Sequence, residues 1–272
     1  VNRQKLWENI QSKKSYLCIG LDPDIEKIPK HLLSFEDPLF EFSKQIIDAT
    51  RDCCVAYKPN VAFFESAGPS GWTSLKKTAD YIGKEQFVIA DAKRGDIGNT
   101  SELYARLFYD WLGADCVTAA PYMGEDSVKP FLRENKWMAL LLHTSNPGSA
   151  DFQTLKMESG KYLYEEVLDA AKRWGNPSNL MFVAGATHPE RFASIRKSAP
   201  EYFLLVPGVG AQGGDLRAVS KAGFNSQCGL LVNSSRAVIY ASQGRDFAEA
   251  ASREASRLQK EMEKLLKEAC LV

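Results

Sequence analysis

Eight short apolar runs punctuate the chain: YLCIGL (16–21), CVAYKP (54–59), FVIADAK (87–93), CVTAAP (116–121), MALLLHT (138–144), LMFVAGAT (180–187), FLLVPGV (203–209) and GLLVNSS (229–235). Most are rich in Val, Ile and Leu and do not alternate cleanly with polar residues, which is the pattern of strands covered on both faces. Helical periodicity fills the intervals, as in DPLFEFSKQIIDAT (37–50), TSELYARLFYDWLG (100–113) and KYLYEEVLDAAKRWG (161–175). The second of these offers Thr100 or Asn99 as an N-cap and Gly113 as a stop. The C-terminal segment 246–269 sets Leu258, Met262, Leu265 and Leu266 on one stripe. That stripe predicts a helix packed on strands, with a partner-binding helix as the alternative. Strands alternating with helices predict an α/β protein, a single (β/α)8 TIM barrel with parallel strands. No linker or low-complexity segment divides residues 1–272, so one domain is expected. An open doubly wound sheet is the competing architecture.

Composition narrows the function classes. Lys plus Arg and Asp plus Glu balance at 34 each, so the electrostatic footprint of a non-specific nucleic-acid binder is missing. No apolar run approaches the ~18 residues of a membrane span. The N-terminal VNRQKLWENIQSKK is too polar to read as a signal peptide. Six cysteines include no C-x-x-C pair, and Cys18, Cys54, Cys116 and Cys228 fall in or beside apolar runs. Small buried thiols and a cytoplasmic setting are the expectation.

Candidate chemistry collects where the strands end, the catalytic face of such a barrel. The first run leads into Asp22, the second ends at Lys58, the third at Asp91 and Lys93, and the fifth at Thr144 and Ser145. Asp91 and Lys93 stand two apart on a strand, so parity gives them a shared face at the barrel mouth, with Ala92 toward the helices and Lys58 on the neighbouring strand. Alternating acids and bases allow every charge to stay ionised. A structural ion-pair network at the rim is the competing reading. Arg94 is expected to point away, into solvent or a helix interface.

The seventh run leads into PGVGAQGGD (207–215) and the eighth into Asn233, Ser234, Ser235 and Arg236. Gly208, Gly210 and Gly213 satisfy G-x-G-x-x-G, but no acid follows about 20 residues on to hold a ribose. The loops after strands 7 and 8 of a barrel instead make a phosphate site, with Gln212 and Arg236 as donors. His31, His143 and His188 form no pair with metal spacing. Mg²⁺ at Asp91 and Asp96 is allowed by spacing and opposed by the nearby lysines.

The run DAKRGDIGNT (91–100) resembles the D-x-K-x-x-D-I-G-x-T signature of the orotidine 5′-phosphate decarboxylases. GLDPD (20–24), YKPN (57–60), AFFE (62–65), HTSNPG (143–148), VPGVGAQGGD (206–215) and NSSRAVIYA (233–241) resemble the longer bacterial branch of that family, in order, over nearly the whole chain. The resemblance implies a carboxy-lyase that converts orotidine 5′-phosphate to UMP in pyrimidine biosynthesis, without cofactor or metal. It implies a charged tetrad of Lys58, Asp91, Lys93 and Asp96, with Lys93 as proton donor. Asp22 would bind ribose hydroxyls, Thr144 and Ser145 would face the pyrimidine, Pro207 would lie against the substrate, and Gln212, Ser235 and Arg236 would hold the phosphate. Asp96 and Thr100 would come from the partner subunit, making the active sites of a homodimer composite.

Three alternatives stand beside that reading. A Mg²⁺-dependent phosphosugar decarboxylase or synthase shares the D-x-K-x-x-D run, but carries an acid where this chain has Lys58. A Schiff-base aldolase needs a neutral lysine, which the flanking acids of Lys93 oppose. A catalytically inert phosphoribosyl-binding barrel would be expected to lack part of the tetrad.

Overall fold

In the computed structural model, which describes residues 1–209 and 214–272, each apolar run forms a strand. They are β1 (Leu17–Leu21), β2 (Ala56–Pro59), β3 (Phe87–Arg94), β4 (Cys116–Ala119), β5 (Trp137–His143), β6 (Leu180–Ala184), β7 (Phe203–Pro207) and β8 (Leu230–Ser234). They pair in sequence order and in parallel, and β8 returns to β1, so the sheet closes into a barrel. The strands are almost wholly buried, as expected for a sheet filled inside and covered by helices outside. The doubly wound alternative is thereby excluded.

The barrel has a floor and a mouth. At the strand N-termini, Trp137 packs edge-on between Phe87 and Phe203, with centroids 5.9 and 6.0 Å away. All three are fully buried and start alternate strands, the layered filling of a small barrel. Chemistry is left to the opposite end.

Some helices begin where local signals place them, and one does not. Helix Pro38–Thr50 begins with Asp37 accepting the N–H of Phe40, and proline occupies its first turn. Helix Phe247–Glu268 buries Leu258, Met262, Leu265 and Leu266, so the C-terminal stripe packs on the barrel. The helix expected to start at Asn99 or Thr100 starts earlier, spanning Gly98–Arg106 with Ile97 as N-cap and no side-chain cap. It continues as a π-turn, Leu107–Trp111, and stops before Gly113, whose φ of 81° glycine adopts without strain. Cys18, Cys54, Cys116 and Cys228 are buried free thiols. Burial pushes the Cys54 and Cys228 thiols up to about 12. Among the described residues no helix is long and apolar enough to cross a membrane.

Candidate active site

The barrel mouth opens into a cavity of about 370 Å³ lined by Lys58, Asp91, Lys93, Thr144, Ser145 and Pro207, together with Thr118 and Gln153. Leu141, Val183 and Leu205 form its apolar wall. A larger cleft of about 690 Å³ lies outside the charged mouth, against helices Pro38–Thr50 and Gly68–Ile82. Its acids are Asp24, Glu36 and Asp37, of which Asp37 is engaged by Ser74 at 2.6 Å and Lys77 at 3.0 Å, and Asp24 by Lys27 at 2.6 Å.

Asp91 is the hub. It is 8% exposed, and its two oxygens take one ammonium each: Lys58 Nζ at 2.5 Å on Oδ2 and Lys93 Nζ at 2.5 Å on Oδ1. Thr118 Oγ1 also donates to Oδ1, at 3.0 Å. Burial would raise the Asp91 pKa, but the attraction of Lys58 and Lys93 outweighs it and holds the carboxyl well below the usual range. Burial would likewise lower the pKa of Lys58. Asp91 and Asp22 overcome that and hold the amine above its ordinary value. With both oxygens bound to ammonium groups, Asp91 is a poor cation ligand, and the described residues contain no group of three metal-ligating side chains.

Lys58 is buried, whereas the Lys93 side chain is 51% exposed toward the cavity. Parity led to the right neighbours by the wrong route. Register shifts between Ala90 and Arg94, and Lys93 has a φ of 48°, so the regular pleat is already broken where the two side chains meet. The left-handed backbone turns Lys93 back onto Asp91, and Thr118 Oγ1 accepts the Lys93 N–H at 2.9 Å. Thr118 carried no sequence signal: a single threonine in an apolar run shows nothing of a partner 27 residues upstream. Gln153 was likewise missed. Its Oε1 accepts the Thr144 N–H at 2.8 Å, and its amide donates to Thr144 Oγ1 at 3.0 Å.

Of the remaining candidates, Asp22, Asp96, Thr100, Ser235 and Arg236 are not among the residues that line this cavity. Asp22 is half-buried with Oδ1 unpartnered, and its carbonyl accepts the Tyr240 hydroxyl at 2.8 Å. Gly20 is required beside it, because a Cβ there would stand 1.8 Å from Ser235 Oγ. Arg236, exposed, opens the short helix Arg236–Ile239 that follows β8. Gln212, together with Gly210 and Gly213 of the glycine pattern, lies outside the described residues. Among the flanking described residues, the Gly214 N–H donates to the Gly208 carbonyl at 3.1 Å. Asp96 and Thr100 do not line the cavity of their own chain. Asp96 Oδ1 instead accepts the Ile97 N–H at 2.7 Å. Arg94 leaves the mouth for a helix interface, where it pairs with Glu65.

His143 faces the helix layer, between Tyr164 and His188, with ring centroids 5.1 and 4.7 Å away. Its Nε2 is buried and unpartnered. Burial, then the charges of His188 and Arg191, lower its pKa to about 4, partly offset by Glu190. The unfolded chain, near 6.5, therefore binds more protons at mildly acid pH. Stability is expected to be full above that value, to fall as pH drops from about 6.5 to about 4, by on the order of 2 kcal/mol, and then to level for this group. Asp91 acts in a lower window: its stabilisation is present above the ordinary carboxylate value and is lost as pH falls below it. Urea unfolding of wild type and His143→Gln at pH 7 and pH 5 checks the first effect. An unchanged pH slope in the variant would remove His143 as its source.

Comparison with known proteins supplies the remaining evidence. Residues 15–251 match the family described as Orotidine 5′-phosphate decarboxylase / HUMPS family. The orotidine 5′-phosphate decarboxylase of Phocaeicola vulgatus is 57% identical over 270 residues, covering 98% of this chain and 99% of that protein. Among solved structures, Leishmania donovani OMP decarboxylase is 35% identical with a TM-score of 0.78, covering 94% of this chain and 99% of that one. Leishmania donovani UMP synthase is 39% identical with a TM-score of 0.81, and there the match covers 94% of this chain and 56% of that longer one. On matches of this extent and identity, the chain belongs to the orotidine 5′-phosphate decarboxylase family.

Proposed function

We propose that this chain, a single domain acting in the cytoplasm, decarboxylates orotidine 5′-phosphate to UMP by fixed charge alone, with Lys93 as proton donor. The observation that carries the reading is the buried Asp91 carboxylate shared between Lys58 and Lys93 at the mouth of the cavity. Loss of CO2 from C6 of the pyrimidine leaves an electron pair in an sp² orbital with no conjugated sink. An ammonium fixed beside C6 stabilises that pair and then delivers its proton. Asp91 holds the ammonium in place, and its own charge lies near the departing carboxylate. Thr144, Ser145 and Pro207 line the same cavity and face the base, while Asp22, with an unpartnered oxygen, takes the ribose hydroxyls. The phosphate falls to Gln212, Ser235 and Arg236, and its binding energy orders the site. Disappearance of the orotidine 5′-phosphate absorbance, at equal rates with and without EDTA, tests the reading. Activity lost to the chelator and restored by Mg²⁺ would reject it.

The homodimer with composite sites belongs to the same proposal. Ile97, Tyr122 and Met123 are 53%, 92% and 48% exposed. Their loops are joined by the Ala120 N–H donating to the Arg94 carbonyl at 2.8 Å. This apolar surface beside Asp96 and Thr100 suits a second copy, which would carry both residues into the facing cavity.

Arg236→Ala is expected to weaken kcat/KM on orotidine 5′-phosphate by about 30-fold or more, on the order of 2–4 kcal/mol for a charge-assisted clamp. The phosphate-free nucleoside should be little affected. Equal losses on both substrates would make Arg236 structural and move the phosphate elsewhere.

A further inference from the structure

Lys93 holds a left-handed backbone, φ 48°, which costs an L-residue with a side chain about 1 kcal/mol or more and persists only where the surroundings enforce it. Besides the direct contacts of Lys93 with Thr118 and Asp91, a further set of contacts flanks it from Arg94, a residue outside the cavity lining. Arg94 Nη1 donates back to the Ala92 carbonyl at 3.0 Å, closing a ring of contacts around Lys93. Nη2 of the same guanidinium pairs with Glu65, in helix Val61–Glu65 directly after the strand that carries Lys58. The guanidinium also lies over the rings of Tyr104 and Phe108, 5.3 and 5.6 Å from their centroids. A planar, forked cation is needed for this: one prong on the backbone, one on an acid, and two aromatic rings against it.

We propose that Arg94 and Glu65 form a positioning clasp that locks Lys93 in its left-handed conformation and so fixes the ammonium over the reacting carbon. The inference rests on the reading of Lys93 as proton donor. The clasp touches no substrate and is separate from the contacts of Lys93 with Asp91 and Thr118. Without it the 92–94 segment relaxes toward extended backbone and the ammonium swings off Asp91. Binding, which rests on groups elsewhere around the mouth, is left in place.

The test compares wild type, Arg94→Lys, Glu65→Gln and Lys93→Ala, reading kcat, the dissociation constant for UMP and the thermal unfolding midpoint. Arg94→Lys keeps the charge but cannot make both bonds; kcat should fall about 10- to 100-fold, the scale of a misplacement near 1 Å, with UMP affinity changed less than about threefold. Glu65→Gln should fall in the same direction by less. Wild-type kcat in Arg94→Lys, or kcat and UMP affinity falling in parallel, overturns the clasp. If Arg94→Lys does not fold, Glu65→Gln is judged by the same two criteria. Full turnover in Lys93→Ala would overturn the proton-donor reading itself. An inactive Lys93→Ala beside a fully active Arg94→Lys would overturn the clasp alone.

Discussion

Lys93→Ala should lose at least about a thousandfold in turnover while still folding and binding UMP, because the proposed proton donor and its preorganised charge are removed together. The fold should survive, since the buried Asp91 keeps Lys58 at 2.5 Å and the Thr118 hydroxyl at 3.0 Å. Lys93 is half-exposed, so its removal opens no closed cavity in the core. Alanine also tolerates the left-handed backbone better than a β-branched residue would. Decarboxylation followed by absorbance, with UMP affinity measured by calorimetry, separates the two expectations. Turnover within tenfold of wild type would end the assignment of Lys93 as proton donor. Conversely, if binding vanished along with turnover, the lysine would be holding substrate.

The barrel was legible because a parallel sheet leaves a direct trace: strands covered on both faces appear as unbroken apolar runs. The mouth was legible in part. Lys58, Asp91 and Lys93 announce themselves as charges at the ends of such runs, and the cavity joins them to Thr144, Ser145 and Pro207. The other contributions depend on contacts between distant residues. Thr118 gains its role only when the register of β3 against β4 sets it beside Asp91. Gln153 lies in an irregular excursion, where periodicity says nothing. The apolar run 180–187 is longer than its strand, because apolar Gly185 and Ala186 continue past the end of β6. Gly185 fits there by lacking a side chain, since a Cβ would stand 2.6 Å from the Ser145 nitrogen. Strand parity failed in method at Lys93 because a bulge cancels the period on which parity rests.

Mixing two inactive variants should restore activity if Asp96 serves the opposite cavity. In its own chain Asp96 is turned to the Ile97 N–H and does not line the cavity of Lys93. Asp96→Ala and Lys93→Ala homodimers should each be nearly inactive, because every site carries one lesion. In a heterodimer, the site that receives Lys93 from the Asp96→Ala chain receives Asp96 from the Lys93→Ala chain, and is intact. The other site carries both lesions. Random exchange of equal amounts makes half of the dimers mixed, so about a quarter of all sites are intact under two-fold symmetry. Activity should rise from near zero toward roughly a quarter of wild type as subunits exchange, on the same symmetry argument. Native mass spectrometry with one tagged chain measures that exchange independently. Mixed dimers that form without regaining activity would show that Asp96 acts within its own subunit. Its carboxylate would then have to leave the Ile97 N–H and reach Lys93 by a movement of the 95–98 turn. A chain that stays monomeric at assay concentration with full activity would remove the composite site altogether.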